Sequence, residues 1–313
     1  MRLLVYLPLL IPALAAVAAR PLAARLEPRE ATWLLTAATV ALAGCSTVAL
    51  ALLAASAAAR APALAAWGHY SQSVVHRADP TSAITGAAAA VVLTGAAVAV
   101  AVTLRHRARA LAESYRRAAR LHDDGTVVVV RGTAVEAYAL PGWPGRIVVS
   151  GRLLQALDEP GRAALLAHER AHLAGRHHLF TTVAHLAAAA NPVLLPLARA
   201  VDYTVERWAD EHAAAVTGDR RLVALTIGRV AMLATPGRRP AATLGIVRER
   251  SRRLSVAWAG PVPRRVAALL GPPPRTRALL MAAMVLIVVL TGASALQAAR
   301  DLHALLELAR AAH

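Results

Sequence analysis

Leu165-Leu166-Ala167-His168-Glu169-Arg170-Ala171-His172-Leu173 reads as part of one helix and contains the pattern H-E-x-x-H. Residues four apart on a helix share a face, so His168 and His172 present two imidazoles to one point. Glu169 lies beside them. Two imidazoles with an adjacent carboxylate suit a divalent metal and a water that the carboxylate can deprotonate. The helix carries its own start signal, with Asp158 at a capping position and Pro160 in the first turn. In a chain with 12 histidines such spacing can arise by coincidence. A charged triplet among Leu165, Leu166 and Leu173 is nonetheless costly to bury without a partner, and a metal is such a partner.

A catalytic site of this kind needs a third protein ligand and an open fourth position. Val205-Glu206-Arg207-Trp208-Ala209-Asp210-Glu211-His212 supplies it. Glu206 and Asp210 share a helical face, Glu206 placed to ligate and Asp210 to accept a hydrogen bond from the far nitrogen of a ligating histidine, fixing its tautomer. Alone, these residues would read as a solvated acidic helix start. Zinc is the metal the motif favours, and other divalent ions suit the same ligands.

The run His168-Glu169-Arg170-Ala171-His172, then Asn191-Pro192, then Glu206-Arg207-Trp208-Ala209-Asp210-Glu211 resembles the BlaR/MecR family of membrane zinc peptidases. More distantly it is similar to the integral-membrane heat-shock and prenyl-protein zinc peptidases, which share the H-E-x-x-H and E-x-x-x-D pairing. The likeness in layout covers about residues 1 to 298, with specific motifs between about 126 and 275. It implies a gluzincin-type peptidase with one zinc per chain on His168, His172 and Glu206, and Glu169 as general base. It also implies that Arg265, in the short helix Gly260 to Leu270, helps stabilise an oxyanion. The substrate implied is a protein or peptide, such as a cytoplasmic transcriptional repressor or the enzyme itself.

Composition places this chemistry at a membrane. Of 313 residues 57% are hydrophobic and 4% aromatic, which is too apolar for a soluble domain. The net charge of +17 comes from arginine alone, since no lysine occurs. No nucleic-acid-binding motif appears, and the arginines read instead as cytoplasmic flanks of membrane spans. The one cysteine, Cys45, excludes an internal disulfide and reads as packing.

Four transmembrane helices are expected, at about 3–19, 32–58, 83–104 and 276–298. Arg20, Arg25 and Arg29 follow the first, which favours an uncleaved helix with its N-terminus outside. Loop 60–82 holds Trp67, His69, Tyr70 and His76, read as interfacial anchors. Arg105-His106-Arg107-Ala108-Arg109 with Arg116, Arg117 and Arg120 forms the strongest basic flank. It places residues 105–275 in the cytoplasm as a zinc peptidase domain, its first helix leaving the membrane over anionic lipid.

Within that domain, Asp123-Asp124-Gly125 is a turn. Segments Thr126 to Arg131, Glu136 to Leu140 and Arg146 to Ser150 are expected to form a small antiparallel sheet, whose edge can hold an extended substrate. His177 and His178 read as interfacial or as support to the ligands. Residues 179–200, broken by His185, Asn191-Pro192 and Pro196, are a membrane-associated hairpin that either dips in or crosses twice. A single crossing would separate His168 from Glu206. Residues 220–254 are helical with Arg clusters at Arg238-Arg239 and Arg248 to Arg253, and Pro272-Pro273-Pro274 is a stiff spacer. The tail 299–313 is expected to be short and external, without the large penicillin-binding domain of the antibiotic-sensing relatives.

The expectation is thus a mainly α, integral-membrane protein with a cytoplasmic α+β zinc peptidase domain, multi-pass in the cell membrane, both termini outside and the active site inside. A signal-transducing protease is the leading reading. A membrane-protein quality-control peptidase and a scaffold with a vestigial site are the alternatives.

Overall fold

The computed structural model describes residues 3–61, 83–120, 125–131, 135–233 and 261–311. Most of loop 60–82 with its aromatic and histidine residues, the Asp123-Asp124 turn, and both Arg clusters between 238 and 253 lie outside the described residues.

After a short turn at Leu3–Tyr6 come α1 (Leu7–Arg25), α2 (Pro28–Ala58) and α3 (Ala83–Arg120). Strands β1 (Val127–Val130), β2 (Ala137–Leu140) and β3 (Arg146–Ser150) precede α4 (Gly151–Ala156) and α5 (Glu159–Ala174). Then follow α6 (His177–Ala190), α7 (Leu195–Thr217), α8 (Arg220–Leu233), α9 (Pro261–Leu270) and α10 (Ala278–Ala311). Helices α1, α2, α3 and α10 are long and apolar enough to cross a membrane, at the four places expected. The helices outrun the expected spans. α3 continues unbroken through its arginines, and α10 runs to Ala311 where a short tail was expected beyond 298.

The segment after α5 is a helical hairpin, α6 and α7 joined at Asn191 and a short turn Pro192–Leu194. It packs against α1 and α2 around Ala15, Ala19, Leu35, Leu42, Ala184, Leu197 and Val201. Small residues let the helix backbones approach closely. Gly86 of α3 shows the limit of this, since a Cβ there would stand 2.0 Å from the Ala57 Cβ of α2.

Two polar ties fix the hairpin to α1 and α2. At its tip the Asn191 amide donates to Ser46 Oγ at 3.0 Å. Ser46 Oγ lies 2.8 Å from the Pro8 carbonyl, the acceptor left open because Pro12, four residues on, has no N–H. At the other end Arg207 of α7, 5% exposed, donates to the carbonyls of Ala23, Ala24 and Leu26. These are orphan acceptors at the C-terminus of α1, where a cation is favoured. Thr32 of α2 also donates to Thr204 of α7 at 3.0 Å. Arg207→Met is expected to strand those carbonyls at about 1–3 kcal/mol for each group left unmet. The melting temperature in detergent should fall by several degrees, and an unchanged value would refute the tie.

The sheet has strand order β1-β3-β2 and is mixed, a correction to the antiparallel sheet expected. β3 pairs antiparallel with β2 and parallel with β1. The reason is topological. β3 inserts between the two arms of a wide β1–β2 hairpin, and a strand between antiparallel arms must run parallel to one of them. The sheet rests on α4 and α5 through Ile147, Val149, Leu153, Leu157 and Leu165. α8 and α9 close the other flank of α5 and α7 around Ala164, Ala167, Ala213, Val223 and Leu269.

Candidate metal centre

α5 begins as the sequence indicates, with the Asp158 carboxylate accepting from Gly161 N–H at 3.2 Å. It then carries His168, Glu169 and His172 to the junction of three elements: β2, α7 and α9. α7 crosses α5 and brings Glu206 and Asp210 to the same point. His168 Nε2 and His172 Nε2 lie 3.1 Å apart, and each is 3.8 Å from a Glu206 carboxylate oxygen. A tetrahedral zinc with bonds of ~2.0–2.1 Å places its ligand atoms ~3.3–3.5 Å apart. The histidine pair falls just under that value and the two Glu206 distances, which run to different carboxylate oxygens, just over it; with one oxygen taken for Glu206 the three donor atoms lie within 4.8 Å of one another. The residues present therefore fit a zinc ion.

Around the ligands stand residues that orient them. His168 Nδ1 lies 3.0 Å from Asp210 Oδ1. The distance is that of a hydrogen bond, while the alignment falls short of a good one. Asp210 is gripped in turn by Arg265 of α9, through Nε to Oδ2 at 2.7 Å and Nη2 to Oδ1. Arg265 Nη1 also meets Glu206 Oε2 at 2.7 Å. The guanidinium is thus committed to Glu206 and Asp210 of α7, rather than standing free toward an oxyanion. His177, read from the sequence as interfacial or as support to the ligands, is fully buried with its Nδ1 3.0 Å from His172 Nδ1.

Glu169 is buried beside β2, where the backbone N–H of Ala139 favours its charged form. Ser150 N–H donates to the Glu136 carbonyl, so the hydrogen-bonded pairs of this ladder fall at every second residue from Glu136. Ala137 and Ala139 then turn their backbone groups away from β3, toward the ligand helix. Among the described residues β2 is an edge strand, its outer side facing the site.

Charges follow from this packing. Burial opposes a charge on His168, but Asp210 outweighs it and holds the pKa above its ordinary value. His172 is driven well below by burial, with His168 and Arg265 adding. His177 is pushed down to about 3, by burial and then by His172. Burial raises Glu169, with Glu206 adding and His168 offsetting. Burial acts against Asp210 too, yet Arg265 and His168 hold it well below the usual carboxylate range.

The shifts set a pH dependence for the metal-free protein. A histidine with a lowered folded pKa stays neutral in the fold and charges at 6.5 when unfolded, so stability is lost as pH falls below 6.5. His172 and His177 both act this way, at about 1.4 kcal/mol per pH unit each. His168, raised, adds no slope below 6.5 because both states are then protonated. Metal-stripped protein is expected to melt progressively lower from pH 6.5 toward the carboxylate range. A flat profile there would contradict neutral, buried His172 and His177.

Residues 102–189 match the model of Peptidase family M48. The match takes in the end of α3, the sheet, the H-E-x-x-H helix and most of α6, and stops short of Glu206. M48 peptidases are zinc metallopeptidases, and the match supports a metallopeptidase. Comparison with curated proteins and with solved structures gives no match.

Proposed function

We propose that the chain is a membrane-embedded zinc metalloendopeptidase that cleaves a protein on the cytoplasmic side, in the manner of the signal-transducing BlaR/MecR group. The observation that carries this is the convergence of His168, His172 and Glu206 from two helices, with the Glu169 carboxylate beside the edge strand β2.

A zinc ion held by His168, His172 and Glu206 would polarise the scissile carbonyl and lower the pKa of a bound water toward about 7. The rest is done by the chain. The outer edge of β2 pairs with an extended substrate backbone at Ala137, the Ala139 N–H being turned to Glu169. Glu169 takes a proton from the attacking water and passes it to the leaving amine. Its raised pKa suits both halves of that transfer. Asp210, fixed by Arg265, keeps the His168 proton on Nδ1 and leaves Nε2 free for the metal.

Helix lengths support a placement in the membrane. Gly86 meets α2 near Ala57, and the apolar part of α3 extends from there to Leu104, about 27 Å at 1.5 Å per residue. Ser46, which holds the hairpin tip, lies about 16 Å along α2 from Ala57. The tip therefore reaches about the middle of the bilayer, and the hairpin dips rather than crosses. The site then stands on the side marked by Arg105, Arg107 and Arg109, which the arginine rule assigns to the cytoplasm, with both termini outside.

The family matched is described as a peptidase family and not as the BlaR/MecR group, so a general membrane-protein quality-control peptidase is the second reading. Photocrosslinking of E169Q in its native membrane, with mass spectrometry of trapped proteins and their cleaved forms in wild type, separates the two. One cytoplasmic regulator cut at one bond supports signalling. Many misfolded membrane proteins support quality control, and no substrate cut in wild type refutes both.

A further inference from the structure

The two candidate histidine ligands are held by different chemistry. His168 faces a carboxylate, Asp210. His172 faces another imidazole, with Nδ1 3.0 Å from Nδ1 of His177. Two neutral imidazoles at this distance share one proton. If His172 donates, His177 accepts, carries its own proton on Nε2, and leaves the His172 Nε2 lone pair toward His168 and Glu206. If His177 donates, His172 carries its proton on Nε2 and cannot ligate. The tautomer of one ring therefore decides whether the other can hold a metal.

The fold holds the acceptor in place. Arg176 adopts φ 47°, a left-handed turn that is costly for a residue with a Cβ, and this folds α6 back so that His177 meets His172 directly. Gly175 leaves room for the ring, since a Cβ there would stand 2.4 Å from His177 Nε2. On the other side His177 packs on Trp208, ring centroids 4.6 Å apart. Trp208 belongs to α7, the helix of Glu206 and Asp210. His177 Nε2 has no hydrogen-bond partner among the described residues, so the hydrogen bond to His172 is the polar contact the ring makes there.

We propose that His177 is a positioning residue for the metal centre: it accepts the His172 Nδ1 proton and so fixes His172 in the tautomer that ligates through Nε2. The inference rests on the metal-centre reading above. A neutral imidazole acceptor draws less negative charge toward the ligand than a carboxylate does, so the two histidines differ in donor strength.

The test uses full-length protein purified in detergent, stripped of metal and titrated with zinc against a chromophoric chelator at neutral pH. H177F keeps a ring against Trp208 and removes the acceptor. Zinc affinity should fall roughly 10- to 100-fold. H177N places Oδ1 where Nδ1 stood and should recover most of the loss. Metal-free melting curves establish that both variants fold. Gly175→Ala keeps His177 but displaces its ring, and should also weaken zinc binding. Wild-type affinity in H177F, or an equal fall in H177F and H177N, would overturn the proposal, the second outcome reducing His177 to packing. A wild type that binds no zinc is a different result and would refute the metal centre itself.

Discussion

Glu169→Gln is expected to keep the metal and lose the chemistry. Glutamine preserves the shape of the side chain and keeps a carbonyl oxygen toward the Ala139 N–H. It takes no part among the three ligand atoms, so zinc content should match wild type. What it cannot do is accept a proton. General acid–base groups contribute typically ~10²–10⁴-fold, and one residue serving both halves of the transfer belongs at the upper end. Peptide cleavage by detergent-purified E169Q should fall about a thousandfold or more. Residual activity within tenfold of wild type would remove Glu169 from the role of base.

Glu206→Ala has the second large effect, and its readout is the metal. Glu206 is the carboxylate that faces both ligand imidazoles, at 3.8 Å from each. It also carries part of the Arg265 charge. Removing it takes away one of three donors and leaves a nine-tenths buried cation with Asp210 alone, a costly state. Zinc affinity should drop beyond the roughly 10- to 100-fold that follows loss of an outer hydrogen-bond partner. Equal zinc binding in wild type and Glu206→Ala would exclude Glu206 as the third ligand. Together the two variants separate a residue that holds the metal from one that moves the proton.

Much of this was legible in the chain. The i, i+4 spacing of His168 and His172, and of Glu206 and Asp210, reports only local helix geometry, which sequence carries well. The four apolar spans report composition over long windows and were equally plain. What escaped depends on contacts between distant segments. A Val-rich strand shows its period but not its direction, so the parallel pairing of β1 with β3 could not be read. Arg207 looked like one arginine among 35, and only the crossing of α7 over the end of α1 makes it a cap. Arg265 was assigned by resemblance, and its grip on Asp210 and Glu206 needs the placement of α9. For His177 two roles were open, interfacial or support to the ligands, because its meeting with His172 depends on the turn at Arg176, where a positive φ falls on a residue that gives no glycine signal. Its one clue was the neighbouring Gly175, whose missing side chain makes room for the ring.

The resemblance and the family match overlap on the chemistry and part on the role. Both point to a zinc metallopeptidase, and the matched stretch contains the H-E-x-x-H segment. The match covers residues 102–189, so Glu206 as candidate third ligand, the Arg265 clamp and the last apolar helix rest on this chain alone.

The most direct test of the central claim is zinc stoichiometry. Full-length protein, purified in detergent and stripped of metal, is titrated with zinc while bound metal and melting temperature are followed together. One zinc per chain, bound with a rise in melting temperature that is lost at acid pH where the ligands protonate, is the result the account predicts. A wild-type chain that takes up no zinc, or takes it up without any change in stability, would contradict it.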